Sequence, residues 1–524
     1  MASPSTWFYR TTLYNLALWG PIPASLDFRL PETWPGDAGI GKALIGTAPD
    51  WTGDNHRFRY LADLAALGGD EAGRVARFLA GDWLKRCDQI EPVGWSAEAL
   101  GERLYMWIAF YDLIVSEPHK AASRPALLLS MARQMRHLSR IWKSATGIGR
   151  LVALRGLIIA AAAMKDRRRL ARACGFLASE AKAQILPDGG YPSRNPEAIR
   201  DALQCLIDVR DALNLANEAM PKEALDAIDR AAPLLRFFRH GDGRFGLFNG
   251  AAEGEAELLD LVLQRADAKG RPPLRAPFMG YERLQAGRSL VIADCGGQPP
   301  RGDDLDAHAG ALAFEMSHGR ERLIVNCGAY RGADPGWRLA LRQTAAHSTL
   351  ILADVSSAEI APSGHFTGKP MNVKTTRNEE DGNQWLGANH DGYVAAFGLK
   401  HEREIYLSAD GEDIRGEDRL VGSARPGRDG RGFAIRFHLH PEVQASTTQD
   451  GNAVLLRLPS GIGWRLKVAG AVVNLAESVY LGAGGMRRSQ QVILSGHAGG
   501  AGAAVKWALK REAKKGGAAE EDDD

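Results

Sequence analysis

The sequence predicts an α+β protein in which an N-terminal helical (α/α) toroid is followed by an antiparallel β-sandwich. Two observations carry this. From about Asn55 to about His240, apolar residues recur every three or four positions in segments of roughly 13 to 22 residues, broken by Gly, Pro or Asp, which is the pattern of amphipathic helices. After Arg283 the apolar period drops to two, with Gly, Asp and Pro turns and no intervening helical period, as in an antiparallel sheet.

Helices are expected near 56–68, 71–88, 96–116, 122–143, 147–164, 166–185, 196–217 and 220–239. Short connections make neighbours antiparallel, and Leu151–Met164 (LVALRGLIIAAAAM) is apolar nearly all round, so other helices must enclose it. Strands follow in SLVIADCG, ALAFEMSHG, RLIVNCG, STLILAD, HEREIYLSAD, FAIRFHLHP, AVLLRLP, GWRLKVAG and QQVILSG. The organisation is therefore an N-terminal extension (1–54), a helical domain (55–269), a linker (270–284, opening GRPPLRAPFMG), a β-sandwich domain (285–500) and a disordered tail (501–524) whose basic and then acidic ending cannot bury a core.

At 524 residues the chain is too long for a single small binding module. Lys+Arg 65 against Asp+Glu 63 leaves +2, so there is no global field to condense it on nucleic acid. Hydrophobic content of 45% with 24% charged residues is that of a globular protein. The best uncharged run, Thr11–Leu26, contains Asn15, Pro21 and Pro23 and is no membrane span. The first charge is Arg10, which does not support an export leader and leaves a cytoplasmic location open. Five cysteines without a Cys-x-x-Cys read as buried apolar residues. GDAGIGK (36–42) nearly spells a P-loop, but position 43 is Ala and no strand precedes it, so a surface turn is expected.

Two loops at helix ends carry polar chemistry. DGGYPSRNP (188–196) offers Tyr191 as a proton donor, Arg194 as an anion clamp and Asn195 as a neutral donor; equally, Asn195 and Pro196 make a helix cap and first helical position. RHGDGRFGLFN (239–249) presents His240, Asp242 and Arg244. In the β half, Arg342 and His347 lie in RQTAAHST just before a strand, and a histidine is well suited to proton transfer near neutral pH. Arg436, His438 and His440 alternate with apolar residues and so share a strand face, suited either to an anionic ligand or metal or to solvent. NHDGY (389–393) adds His390, which with Asp354 forms a long-range His/Asp pair of the kind zinc uses.

Together, DGGYPSRNP, FRHGDGRFGLFNGA, AHAGALAFEMSHGRERLIVNCG, RQTAAHSTLILAD, NHDGYVAAFGL, RGEDRLVG and FAIRFHLHP resemble the heparinase II/III-like polysaccharide lyases, from the first helices to about Gly496. The resemblance implies a helical toroid and β-sandwich meeting at a substrate groove, and β-elimination of an anionic, uronate-containing polysaccharide. That chemistry must neutralise the C5 carboxylate, remove the C5 proton and protonate the leaving C4 oxygen. His347 then matches the family's catalytic histidine, Tyr191 and His240 become the other acid/base candidates, and Arg194, Asn195, Arg244, Arg342, Arg436 and His438 become substrate-binding candidates. Asp354 and His390 become candidate ligands of a structural zinc, with no cofactor required. The family works mostly in the periplasm or cell envelope. Monomer and homodimer are equally compatible with the sequence, and no nucleic acid or membrane insertion is expected.

Established lyases of the family carry an Asn or His in the first loop and a Tyr in the second, whereas here the first loop has Tyr191 and the second has His240 and no Tyr. Either Tyr191 has taken over as proton donor, or the protein binds glycan on the same scaffold without cleaving it. A hydrolase using Asp242 and Glu255 as paired carboxylates fits less well, because these loops are basic.

Overall fold

The computed structural model of the chain describes residues 8–9, 11–30, 33–115, 123–423, 431–448, 451, 453–499 and 502–512. The expected helical series is present as Tyr60–Leu67, Gly69–Arg86, Ala97–Ala109 with Tyr111–Val115, Ser123–Ile141, Ile148–Ala163, Arg167–Gln184, Pro196–Leu215 and Lys222–Phe237. Ile148–Ala163 is buried along nearly its whole length, as its all-round apolar sequence requires. It crosses Ala97–Ala109 so closely that a Cβ on Gly156 would collide with the carbonyl of Gly101, so glycine is needed on both helices. Between them lies a buried ion network in which Arg155 pairs with Glu102 (2.9 Å) and Asp208 (3.0 Å).

The chain divides into two compact units: 1–185 with 200–232 and 264–268, and 186–199 with 233–263 and 269–524. Two expected boundaries change accordingly. Residues 1–54 belong to the helical unit, with Trp34 donating its indole N–H to Asp208 (2.9 Å). Both polar loops, 188–196 and 239–249, belong to the second unit. The GDAGIGK segment is no plain turn but a short helix, Ala38–Ala43, capped by Asp37; Gly36 and Gly41 let it lie directly on the backbone of Ala62 and Asp63.

Among the described residues of the second unit, the strands form one sheet of nine and one of eight, and every ladder is antiparallel. The first runs in the order Arg275–Ala276, Tyr281–Ala286, Ser289–Asp294, Phe314–His318, Glu321–Val325, Arg431–Leu439, Gly485–Ala498 and Val472–Gly482, with Leu350–Leu352 also on Arg431–Leu439. The second runs Gln444–Thr447, Ala453–Arg457, Gly463–Ala469, Ala503–Arg511, Asp413–Gly422, Leu399–Leu407, Asn383–His390 and Val373–Glu380. The expected linker thus already contributes two strands. The disordered tail is also corrected: Ala503–Arg511 is an interior strand, paired on both sides. Val505, Trp507 and Leu509 alternate inward, a period-2 signal only three residues long before the charged ending begins. The rest of that tail, 513–524, lies outside the described residues.

The two sheets share one core, where the Trp507 ring stacks on Phe314 at 5.7 Å. Buried in it, Asp418 accepts from Arg403 Nε (2.7 Å), His401 Nε2 (2.7 Å) and Trp507 Nε1 (2.9 Å). These contacts hold its carboxyl below the usual carboxylate range against the penalty of burial, with the Arg403 charge the largest stabilising influence. Asp418→Asn keeps the shape and removes the charge opposite a buried guanidinium. It should cost about 3–5 kcal/mol in denaturant unfolding; a loss below about 1 kcal/mol would mean that Arg403 is solvated or otherwise compensated.

Candidate functional site

The site begins at the end of Ser289–Asp294. Asp294 is buried and receives Arg194 and the Asn249 amide (3.3 Å). Arg194, with a φ of 59°, donates as well to the carbonyls of Met279 (2.8 Å), Gly280 (3.0 Å) and Gly297 (2.7 Å) and lies 4.8 Å over the Tyr281 ring. Asn249 donates to the Tyr281 hydroxyl (2.6 Å) and accepts the backbone N–H of His308 (3.0 Å). Loops 188–196, 239–249 and 304–310 are thereby tied to one strand end. The second loop is pinned again by Glu315, which accepts from His240 Nε2 (3.1 Å) and the Leu247 N–H (3.0 Å), and by Arg322, which donates to Asp242 (2.8 Å) and the Phe245 carbonyl (2.9 Å).

These ties leave a cavity of about 270 Å³ walled by Asn195, Gly250, Asp306, His308, Ala329–Arg331, Arg338 and Arg342. Asp334 caps the helix Pro335–Arg342 through the Gly336 N–H (2.8 Å), and the four-residue spacing puts Arg338 and Arg342 on one face. Arg331 pairs with Glu197 and donates to the Gly250 carbonyl (3.1 Å), while Arg338 pairs with Asp306 (2.6 Å). Arg342 differs. Its guanidinium is buried and donates to the carbonyls of Ala307 (2.8 Å) and Asp304 (2.9 Å), with no carboxylate bonded to it among the described residues. Three guanidinium groups thus face two carboxylates, and burial lowers the pKa of Arg342, so an entering anion relieves an existing penalty.

Asn195 spends its carbonyl on capping Pro196–Leu215 through the Glu197 N–H (2.8 Å), which leaves its amide N–H₂ for the cavity. His308 is pushed down to about 3 by burial and by Arg342, and its Nδ1 has no partner among the described residues. His347 follows the turn Thr344–Ala346 and stacks obliquely behind His308 with ring centres 5.0 Å apart. It is 2% exposed, its Nε2 is without a hydrogen bond among the described residues, and burial followed by the neighbouring His308 and His438 holds it well below the ordinary histidine value.

Asn195 and Arg342 therefore share this cavity, and His347 lies one ring behind it. The remaining candidates do not. Tyr191 is 1% exposed and outside the cavity wall, unsuited to meeting a sugar. Arg194 is a buried strut with its donors already used. His240 is enclosed between Glu315 and Ser317 (2.9 Å), and burial lowers its pKa. Arg244 pairs with Glu255 (2.9 Å). Arg436 bonds Gln491 (3.0 Å). His438, on the face that alternation singled out, is covered by Ser478 (2.8 Å) and the Ala345 carbonyl (3.0 Å). The zinc pair fails on geometry as well: Asp354 is exposed in a left-handed turn, while His390 accepts the Gly392 N–H (3.2 Å) at Nδ1 and meets His401 (3.2 Å) at Nε2, leaving neither nitrogen for a metal. Among the described residues no three His, Cys, Asp or Glu side chains converge as a metal set.

Sequence reading missed Tyr330, Arg331, Arg338 and His308. The Asp-Pro cap signal and the spacing of Arg338 and Arg342 in DPGWRLALR were available, but the segment lies between two strand patterns and resembles a surface connection.

Residues 268–508 match the profile of the family described as heparinase II/III-like, C-terminal. The chain is 32% identical over 473 residues to FtsZ-localized protein C of Caulobacter vibrioides (strain NA1000 / CB15N), covering 87% of this chain and 81% of that protein. Heparinase III matches in structure with a TM-score of 0.72 at 14% identity, over 97% of this chain and 88% of the other. Heparan sulfate lyase HepC from Pedobacter heparinus matches with 0.63 at 16%, over 98% and 88%. At such identities these two structures speak for the fold alone. Among the described residues no helix is long and apolar enough to cross a membrane.

Buried neutral histidines make stability depend on pH. His240, His308, His347, His390, His401 and His438 all titrate below the ordinary value because burial disfavours the charged ring. The unfolded chain therefore binds protons from about pH 6.5 downward while the folded chain does not, and stability present above that pH is lost as pH falls. Each such ring contributes about 1.4 kcal/mol per pH unit. Unfolding midpoints between pH 7.5 and 5 should be nearly level above 6.5 and fall steeply below it; a flat profile to pH 5 would contradict the burial of these rings.

Proposed function

The chain belongs to the heparinase II/III-like family, and from that premise we propose that it holds a uronate of an anionic polysaccharide in the arginine-walled cavity and cleaves the chain there by β-elimination. The observation that carries this is Arg342, a desolvated guanidinium with no carboxylate bonded to it among the described residues, set in the same cavity as the Asn195 amide, the Tyr330 phenol and the His308 imidazole.

In the proposed reaction Arg342 and Asn195 bind the C5 carboxylate, which makes the C5 proton more acidic. His308, which lines the cavity and is kept neutral, accepts that proton on its imidazole. The C5–H electron pair forms the C4–C5 double bond, the C4–O bond breaks, and Tyr330 protonates the departing oxygen. The bound carboxylate offsets the Arg342 charge that helps depress His308, raising its basicity when substrate is present.

The second reading is that the protein holds the glycan without cleaving it. It is favoured by the low basicity of His308 and His347 in the free protein and by the structural commitments of Tyr191 and His240. The relative at 32% identity is named for its localisation with FtsZ and not for a reaction.

Calorimetry and near-ultraviolet absorbance with heparan sulfate, hyaluronan and polygalacturonate separate the two, since only elimination forms an absorbing unsaturated uronate. Arg342→Gln should weaken binding by at least about tenfold. Tyr330→Phe should keep binding within about twofold while slowing product formation by about a hundred- to ten-thousand-fold. Binding without absorbance at any pH selects the second reading. Binding that is unchanged in Arg342→Gln, or absent throughout, refutes both.

A further inference from the structure

The second sheet carries another cavity, on the face turned away from the core. Alternation in Asn383–His390, Leu399–Leu407 and Asp413–Gly422 sends Leu386, Ile405 and Ile414 inward. The opposite face should then be polar, yet it carries Trp385 and Tyr406. They are direct cross-strand partners with rings 5.2 Å apart, and Trp385 is 37% exposed. Arg415, partner of Tyr406 on the next strand, lies 5.5 Å over the tyrosine ring. Two residues along, the same face reads Gly387, Glu404, Glu417 and Lys506 across four paired strands. A trough of about 680 Å³ opens beside the aromatic wall, with Gly387 in its floor packed against Thr376.

We propose that this trough is a binding site for an uncharged oligosaccharide, with Trp385 and Tyr406 as the platform for the sugar rings and Glu404 and Glu417 as acceptors for their hydroxyls. A pyranose ring presents apolar C–H faces and a rim of hydroxyls, which calls for exposed aromatic surface bordered by hydrogen-bonding groups. The trough has both. Its charged groups stand in ion pairs, Arg377 with Glu282 (3.4 Å), Arg415 with Asp413 (2.6 Å), Glu404 with Arg419 (2.6 Å) and Lys506 with Glu417 (3.9 Å), unlike Arg342 of the first cavity. An anionic sugar gains nothing here from net charge, whereas a neutral one meets donors and acceptors without having to displace a counter-ion. The volume is more than twice that of the first cavity and has room for more than one linked ring. The site stands independently of the lyase reading, since it shares no residue with the arginine-walled cavity.

Calorimetry on the full chain with chitotetraose, cellotetraose and a heparan sulfate tetrasaccharide tests it. At least one neutral tetrasaccharide should bind, and Trp385→Ala should weaken it by about tenfold, equivalent to about 1.4 kcal/mol. Trp385 contributes nothing to the core, so an unchanged melting curve is expected for that variant; Glu417→Gln, which keeps the side-chain size, should weaken the same ligand if Trp385→Ala fails to fold. Arg342→Gln should leave neutral-sugar binding intact. The proposal is overturned if neither neutral sugar binds, if only the acidic one does, if Trp385→Ala or its substitute Glu417→Gln binds as tightly as the parent, or if Arg342→Gln is the variant that loses the neutral sugar.

Discussion

A single buried ion pair, Arg194 with Asp294, holds together the parts from which the arginine-walled cavity is made. A strand end cannot position three separate loops by hydrophobic contact alone, because their backbones carry polar groups that must find partners once water is excluded. Arg194 supplies donors to three loop carbonyls in addition to Asp294, and Asn249 carries the connection from Asp294 to the amide of His308. Burial pushes the Asp294 carboxyl up while Arg194 pulls it down, the balance expected of a charge retained in the interior only by a partner of opposite sign. Gly296 adds the steric side of the constraint, since any side chain there would strike the Arg194 guanidinium.

From that hub the electrostatic character of the site follows. The loops place His308 and, behind it, His347 in a desolvated stack next to Arg342, which keeps both rings neutral. The same desolvation surrounds the Arg342 guanidinium, which bonds two carbonyls and no carboxylate among the described residues. In the proposed reaction an entering carboxylate changes the acid–base properties of such a site, which would let a weak base in the free protein serve in the complex. The buried Asp418 cluster does comparable work inside the sandwich without reaching any cavity: its partners, Arg403, His401 and Trp507, come from two neighbouring strands of the same sheet.

The architecture was largely legible in the sequence because periodicity depends on repeated burial. The apolar helix Ile148–Ala163 and the alternating strand Leu399–Leu407 each carry many consistent positions. Ala503–Arg511 offered only Val505, Trp507 and Leu509 before a charged ending, too few to stand out. The site was less legible, because residue type announces chemistry but not access. Tyr191, His240 and His438 looked reactive and are enclosed by partners far away in the chain, such as Glu315 for His240 and Ser478 for His438. Arg194 looked like an anion clamp and is one, for the protein's own Asp294. Asn195, read as a neutral donor or a helix cap, and Arg342, read as a basic residue before a strand, both line the cavity. Trp385 and Tyr406 were hidden for the opposite reason: in sequence, aromatic residues in a strand read as core.

Amide hydrogen exchange on Arg194→Gln tests the central dependence most directly. If the Arg194–Asp294 pair organises the site, protection should fall together in 188–196, 245–253 and 304–310, while the second sheet, including 399–420, exchanges as in the parent protein. Exchange that rises in 188–196 alone, with 245–253 and 304–310 unaffected, would show that the three loops are held independently and that the pair is not what builds the cavity.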